Sequence, residues 1–458
     1  MTTPGTEADS RSGQAAFYVV AVAVGAITGL IGTALHLGTE RLLAWPEAVR
    51  RYLDVSGGPF LLVAGAIAAA MVVLSVWLVR RFAPEAAGSG VQEIEGAMAG
   101  LRPLRWLRVL LVKFFGGFLS LGSGLVVGRE GPTIHIGASI SQAFAEWIRF
   151  AERDRRGLLA AGGAAGLAAA FSAPLASILF VIEETRREFP YSLKTYTGVM
   201  LASVTSGIVT EAIAGRRPFM AVAVPDVPLT WLPAFVLLGV LLGALGLVFN
   251  RTLVWTLNFA LAFGKRTSFY LIPVVVGFAV GVLLVLQPEA TKGGENLAVH
   301  LIRDNLPLAV VALIVVIRFV MTMASYATGV PGGIFAPILS LATAAGLLFA
   351  LLLSTLLPLP EGMEAAFAVA AMGGLFAATV RAPLVGIVLV AELTGAYVNL
   401  VPTILTCIFA NVVADWLGAR PIYSVLLDRT LTLAGQKPAE GPAGTADGSP
   451  EEGGWDQR

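Results

Sequence analysis

The stretches 16–37, 59–79, 231–250, 269–287, 307–327 and 384–413 are predominantly apolar, and each is long enough to cross the roughly 30 Å of hydrocarbon in a bilayer, which takes about 20 helical residues. A chain that repeats such runs along its length has little choice of architecture, and the expected fold class is an all-α polytopic membrane protein. Composition agrees: 56% of the 458 residues are hydrophobic and 13% charged, against about 45–50% and about 25% in soluble domains. The mean hydropathy is +0.80. The opening "MTTPGTEADSRSGQ" (1–14) is polar and lacks the apolar core of a signal peptide, so a disordered tail followed by a retained first span is expected. The closing segment 431–458 is rich in Gly, Pro and acid, a mix that cannot bury enough surface to fold, and is expected to be a second short disordered tail.

The same sequence narrows the function. A net charge of +1 offers no basic face to nucleic acid. The single Cys407 leaves no intrachain disulfide or cysteine metal site, and His36, His135 and His300 stand in unrelated contexts without metal-ligand spacing. No metal or other cofactor is expected.

The chain also resembles itself. "APLASILFVIEE" (173–184) aligns with "APLVGIVLVAEL" (382–393), matching Pro174 to Pro383 and Glu183 to Glu392 at an offset of 209. "GREGP" (128–132) and "GIFAP" (333–337) share Gly-x-x-x-Pro at an offset of 205. Two elements in one order at nearly one separation indicate a duplication, with repeats at 15–215 and 228–430 and a linker at 216–227. In transporters, paired Gly/Pro-interrupted segments point to the substrate site between the repeats; spacing alone leaves parallel and inverted arrangements open.

Each Gly-x-x-x-Pro reads as a helix start, with Pro at the first helical position and glycine letting the backbone turn and approach a ligand. A helix that starts inside the membrane aims free N–H groups and its positive dipole end inward, which suits an anion. Gly128, Gly131 and Pro132 build the first start, Gly333 and Pro337 the second. A third, "GSGVQEIEG" (88–96), sets Ser89 between Gly88 and Gly90, where its hydroxyl is available to an anion.

Across positions 114–145 the only charged residues are the adjacent Arg129 and Glu130. A carboxylate at bilayer depth costs on the order of 2.5–3.5 kcal/mol, and such residues mark ion paths and proton relays. Beside an anion site, an ionised Glu130 competes with the anion and a protonated one vacates; a structural pair with Arg129 is the alternative. Glu183 has its counterpart in Glu392, whereas Glu184 faces Leu393 in the alignment, so it is either a proton donor to Glu130 or a solvated helix end beside Arg186 and Arg187. Lys113 either raises the local positive potential or snorkels to the interface. Tyr423, after the last span, reads from spacing as an interfacial anchor.

Taken in order, "GSGVQEIEG", "KFFGG…GREGP", "GGIFAP" and "RPIYS" resemble the CLC family of chloride channels and chloride/proton exchangers over nearly the whole chain. The resemblance implies two inverted-topology repeats of tilted, broken helices. It also implies a homodimer in the bilayer of the cell (inner) membrane, multi-pass, with both termini cytoplasmic. By the same resemblance Ser89 and Tyr423 are side-chain ligands of a central chloride, joined by the backbone amides of Ile334 and Phe335. Glu130 matches the gating glutamate, and Glu184 matches the proton glutamate that exchangers carry. A chloride/proton antiporter is therefore expected, with chloride as substrate and the proton as coupled ion; a passive chloride channel of the same fold is the alternative. Gln92 stands where the family usually has proline, and, with so short a tail, regulatory nucleotide-binding domains are not expected. From another class, a hydrolase using Ser89 or Ser123 needs a general base that no histidine motif supplies, so the chain is not expected to be an enzyme.

Overall fold

The computed structural model describes residues 4–53, 57–215, 220, 222–294, 297, 299–301 and 306–436. The first half builds α1 (Pro4–Leu42), α2 (Trp45–Leu53), α3 (Gly57–Phe82), α4 (Val91–Met98), α5 (Trp106–Gly122), α6 (Glu130–Ile148), α7 (Glu152–Phe171), α8 (Pro174–Glu184) and α9 (Leu193–Ala214). The second builds α10 (Leu232–Arg266), α11 (Leu271–Leu286), α12 (Leu308–Ala327), α13 (Phe335–Ser354), α14 (Met363–Val380), α15 (Pro383–Thr394), α16 (Leu400–Trp416) and α17 (Ile422–Leu433). Among the described residues eight helical stretches are long and apolar enough to cross a membrane, and the chain is a multi-pass membrane protein.

Two reciprocal contacts reveal how the halves are related. The carboxylate of Glu183, at the end of α8, accepts the N–H groups of Leu384 (3.4 Å) and Val385 (2.9 Å) at the start of α15. Glu392, near the end of α15, accepts those of Leu175 (3.1 Å) and Ala176 (2.6 Å) at the start of α8. Each helix thus satisfies the orphan donors of the other, which is possible only if the two lie antiparallel. Gly128 and Gly333 do the same on the backbone, exchanging N–H···O bonds of 2.8 and 2.7 Å in an antiparallel bridge. Equivalent elements that pair antiparallel across one point are related by a two-fold axis in the membrane plane, so the repeats are inverted.

The centre is packed through small residues. α6 and α7 touch backbone to backbone at Gly137 and Gly162, where a methyl group on either would collide with the carbonyl of the other; close approach of this kind replaces the hydrophobic drive that lipid cannot supply. α14, rich in alanine and buried almost throughout, is its second-half counterpart against α13. Cations lie inside the fold as well: Arg318 of α12 is fully buried and donates to the carbonyls of Thr291 (2.8 Å), Lys292 (3.1 Å) and Gly293 (2.7 Å).

Some expectations need correction. The run 384–413 is two helices, α15 and α16, because Gly395 takes the left-handed conformation (φ 72°) that caps α15. Pro132 and Pro337 occupy the third helical position, not the first, since α6 and α13 begin at Glu130 and Phe335; the third position also needs no N–H. Residues 4–14, expected as an irregular tail, continue α1, with Pro4 in its first turn. In the linker 216–227, Met220 and Val222 donate their backbone N–H groups to Leu393 and Thr394, and residues 216–219 and 221 lie outside the described residues. Of the expected tail 431–458, residues 431–433 end α17 and 437–458 lie outside the described residues.

Candidate functional site

Three non-helical connections meet at the centre. Gly88 donates to Val330 O (3.0 Å) and accepts from Gly332 N (3.1 Å), while Gly128 pairs with Gly333 as above. The loop before α4, the loop before α6 and the loop before α13 are therefore stitched together by backbone hydrogen bonds. All three helix starts named by their glycines converge, as the resemblance implies.

Glu130, fully buried, is the first residue of α6, and its Oε1 accepts the backbone N–H of Phe335 at 2.7 Å. A carboxylate thus sits on the N-terminus of α13, where the free amides and the dipole favour negative charge. Its surroundings leave no room for a side chain: a methyl group on Gly128 would collide first with the Glu130 carboxyl, and one on Gly333 with that carboxyl and Gly131 N. These glycines keep the seat open.

Around this seat lie Ser89 and Tyr423, both fully buried, and neither the Ser89 Oγ nor the Tyr423 hydroxyl has a hydrogen-bond partner. Buried hydroxyls are ordinarily satisfied, so two orphaned donors beside one helix start fit an anion as the missing acceptor. The Phe335 ring closes the surroundings, 6.4 Å from the Tyr423 ring, 5.1 Å from Phe180 and 4.5 Å from Phe376. Ile334, fully buried, is the N-cap residue of α13.

The supporting residues have definite tasks. Lys113 does not snorkel: it is fully buried, and its Nζ donates to the carbonyls of Gly88 (2.7 Å) and Ser89 (3.0 Å). It turns both oxygens away from an anion and leaves a positive charge behind the loop. Gly90 caps α4 at φ 93° with no space for a side chain against the His135 ring. Arg129 reaches Ala170 O (2.9 Å) with Nε and contacts His36 through Nη1. Sequence reasoning missed Tyr326, whose hydroxyl accepts the Ser89 N–H at 3.1 Å; no spacing signal links residues 237 positions apart.

Glu184 and Glu130 lie toward opposite ends of α1. Arg129 touches His36 late in α1, whereas Lys194, just beyond Glu184, sits 4.9 Å over the ring of Phe17 early in α1; at 1.5 Å per residue those points are about 28 Å apart. Glu184 lines a cavity of about 60 Å³ together with Glu95, Glu188 and Arg187, space for a few waters. Glu188, in the turn beyond α8, is held above the usual carboxylate range by burial, against its own backbone hydrogen bond and Arg187.

Two further cavities approach the seat from opposite faces. One of about 150 Å³ includes Arg129, His36, Lys292 and His300. The other, about 520 Å³, reaches Gly88, Gln92 and Tyr326 and carries Arg102, Arg105 and Arg429; Arg102 pairs with Glu93 (3.0 Å) and Arg105 with Glu85 (2.7 Å). α3 returns across the membrane relative to α1 and brings Arg80 into this second cavity, so it opens on the face where α1 begins. Leu433, at the end of α17, lines it too, which puts both ends of the described chain on one face.

Comparison with known proteins bears on the geometry. Residues 70–415 match the family described as voltage gated chloride channel. The H(+)/Cl(-) exchange transporter ClcA of Vibrio parahaemolyticus is 42% identical over 423 residues, covering 90% of this chain and 89% of its own. That of Salmonella paratyphi B is 41% identical over 424 residues, covering 91% and 89%. Among solved structures, a slow cyanobacterial Cl-/H+ antiporter superposes with a TM-score of 0.87 at 37% identity, over 92% of this chain and 99% of its own. A eukaryotic CLC transporter shares the fold, with a TM-score of 0.77 at 24% identity over 90% and 73%.

Proposed function

The chain belongs to the voltage-gated chloride channel family, and from that premise we propose that it is a secondary-active antiporter exchanging chloride for protons, with Glu130 as the moving part. The observation that carries this is the Glu130 carboxylate seated on the Phe335 N–H, an anionic side chain in the position an anion would take. Ser89, Tyr423 and the amides of Ile334 and Phe335 hold chloride at this centre. When Glu130 is ionised it competes for the centre, and when protonated it yields, so chloride entry is coupled to protonation of this side chain. Glu184 delivers that proton from the opposite face, through water in the small cavity it shares with Glu95. The exchanger names of the similar proteins and the carboxylate at 184 both favour exchange over a passive channel.

Two inferences on assembly accompany this reading. The face where α1 begins is cytoplasmic, because Arg80, Arg81, Arg102, Arg105, Arg155 and Arg156 crowd there, as positive charge does on cytoplasmic loops. The protein is a homodimer of the inner membrane in which α8 and α15, only 11 and 12 residues long and exposing Leu175 and Leu384, face a second copy.

The test is a proteoliposome assay recording chloride and proton fluxes together. A chloride gradient is expected to drive protons uphill; robust chloride flux with no proton movement would sink the exchanger reading. Glu184→Gln is expected to abolish proton flux and keep chloride flux, and Glu130→Gln to uncouple the two.

A further inference from the structure

Gln92 is the second residue of α4 and is 94% buried, its relative exposure being 6%. Its Oε1 has no hydrogen-bond partner, and the side chain lines the cavity of about 520 Å³ that leads to Gly88 and Tyr326. A buried amide oxygen without a donor costs about 1–3 kcal/mol, and half a turn of the carboxamide puts its two N–H donors into the same space. Like Ser89 and Tyr423, Gln92 thus has a buried polar atom without a partner at this helix start. It stands three residues from Ser89 at the same helix start, where the cap Gly90 supplies no side-chain oxygen to the first-turn amides. The nearby carboxylates do not compete for this position: Glu93 is occupied by Arg102 and Glu85 by Arg105.

We propose that Gln92 is a further anion-contacting residue, whose carboxamide N–H groups receive chloride from the cavity before it passes to Ser89 and Tyr423. A proline here would close the first turn equally well but present no donor; glutamine turns this helix start into a waiting position for the incoming anion. This inference rests on the anion-site reading above, and its test separates the two.

Chloride binding to the purified full-length protein is measured by calorimetry for the wild type, Gln92→Leu and Gln92→Glu, with half-saturating chloride and maximal flux measured in liposomes. Gln92→Leu is expected to weaken binding about tenfold, as loss of a hydrogen bond to a charged group does, and to raise half-saturating chloride while maximal flux stays within about twofold. Gln92→Glu, which keeps the shape but replaces the donors by an acceptor, is expected to bind more weakly still; should Gln92→Leu fail to fold, this variant decides. Wild-type affinity in both variants overturns the proposal, as does wild-type affinity in Gln92→Glu alone, which would make the role one of shape. A wild-type protein that binds no chloride would instead overturn the exchanger reading.

Discussion

At the residue scale, the site depends on what is absent as much as on what is present. The atoms nearest to a methyl group on Gly128 are those of the Glu130 carboxyl, so Gly128→Ala is expected to leave folding intact, because what it strikes is the end of a flexible side chain, while denying that carboxylate its place on the Phe335 N–H. Chloride flux should then persist with proton coupling reduced, as for Glu130→Gln; full coupling in this variant would contradict the seat. Glu130 was legible from sequence because a charge among glycines in an apolar run demands a reason. Lys113 was only half legible, since its partners are backbone carbonyls of residues 88 and 89, and a carbonyl leaves no trace in the side-chain pattern. Tyr326 left no signal, as its role is to accept one backbone N–H from a distant loop.

At the scale of elements, the repeat was visible because Pro174/Pro383 and Glu183/Glu392 recur at one offset, and the structure supplies their physical reason: each glutamate caps the partner helix. Glu183→Ala and Glu392→Ala are each expected to cost about 1 kcal/mol, the usual worth of a helix cap, and by symmetry to lower the unfolding temperature in detergent by similar amounts. A silent member of the pair would show that only one cap matters. Hydropathy merged α15 with α16 because apolar content continues on both sides of the break at Gly395. The helix starts at Glu130 and Phe335 were displaced by two residues because proline is tolerated throughout a first turn, so its position brackets a start without fixing it.

At the scale of the whole molecule, the fold buries a cation as a tie. Arg318 joins α12 to three carbonyls of the segment after α11, and Arg318→Leu would strand those oxygens; a loss of folded, monodisperse protein is expected on size-exclusion chromatography, with partial recovery in Arg318→Lys. The inverted arrangement was implied by family likeness and not by spacing, since direction along the membrane normal is invisible in an offset of residue numbers. It becomes physical at the pair Gly128 and Gly333, which bond each other in both directions at the meeting point of the repeats. Parting the halves there would break two backbone hydrogen bonds where no water replaces them, at several kcal/mol per unsatisfied group. The two halves are thus tied to each other beside the Glu130 carboxylate, and a rocking motion that parted them at this point would have to break that bridge. On the proposed function, exchange works as a turnstile does, with a single arm, the Glu130 side chain, turning in a frame held together at this pair.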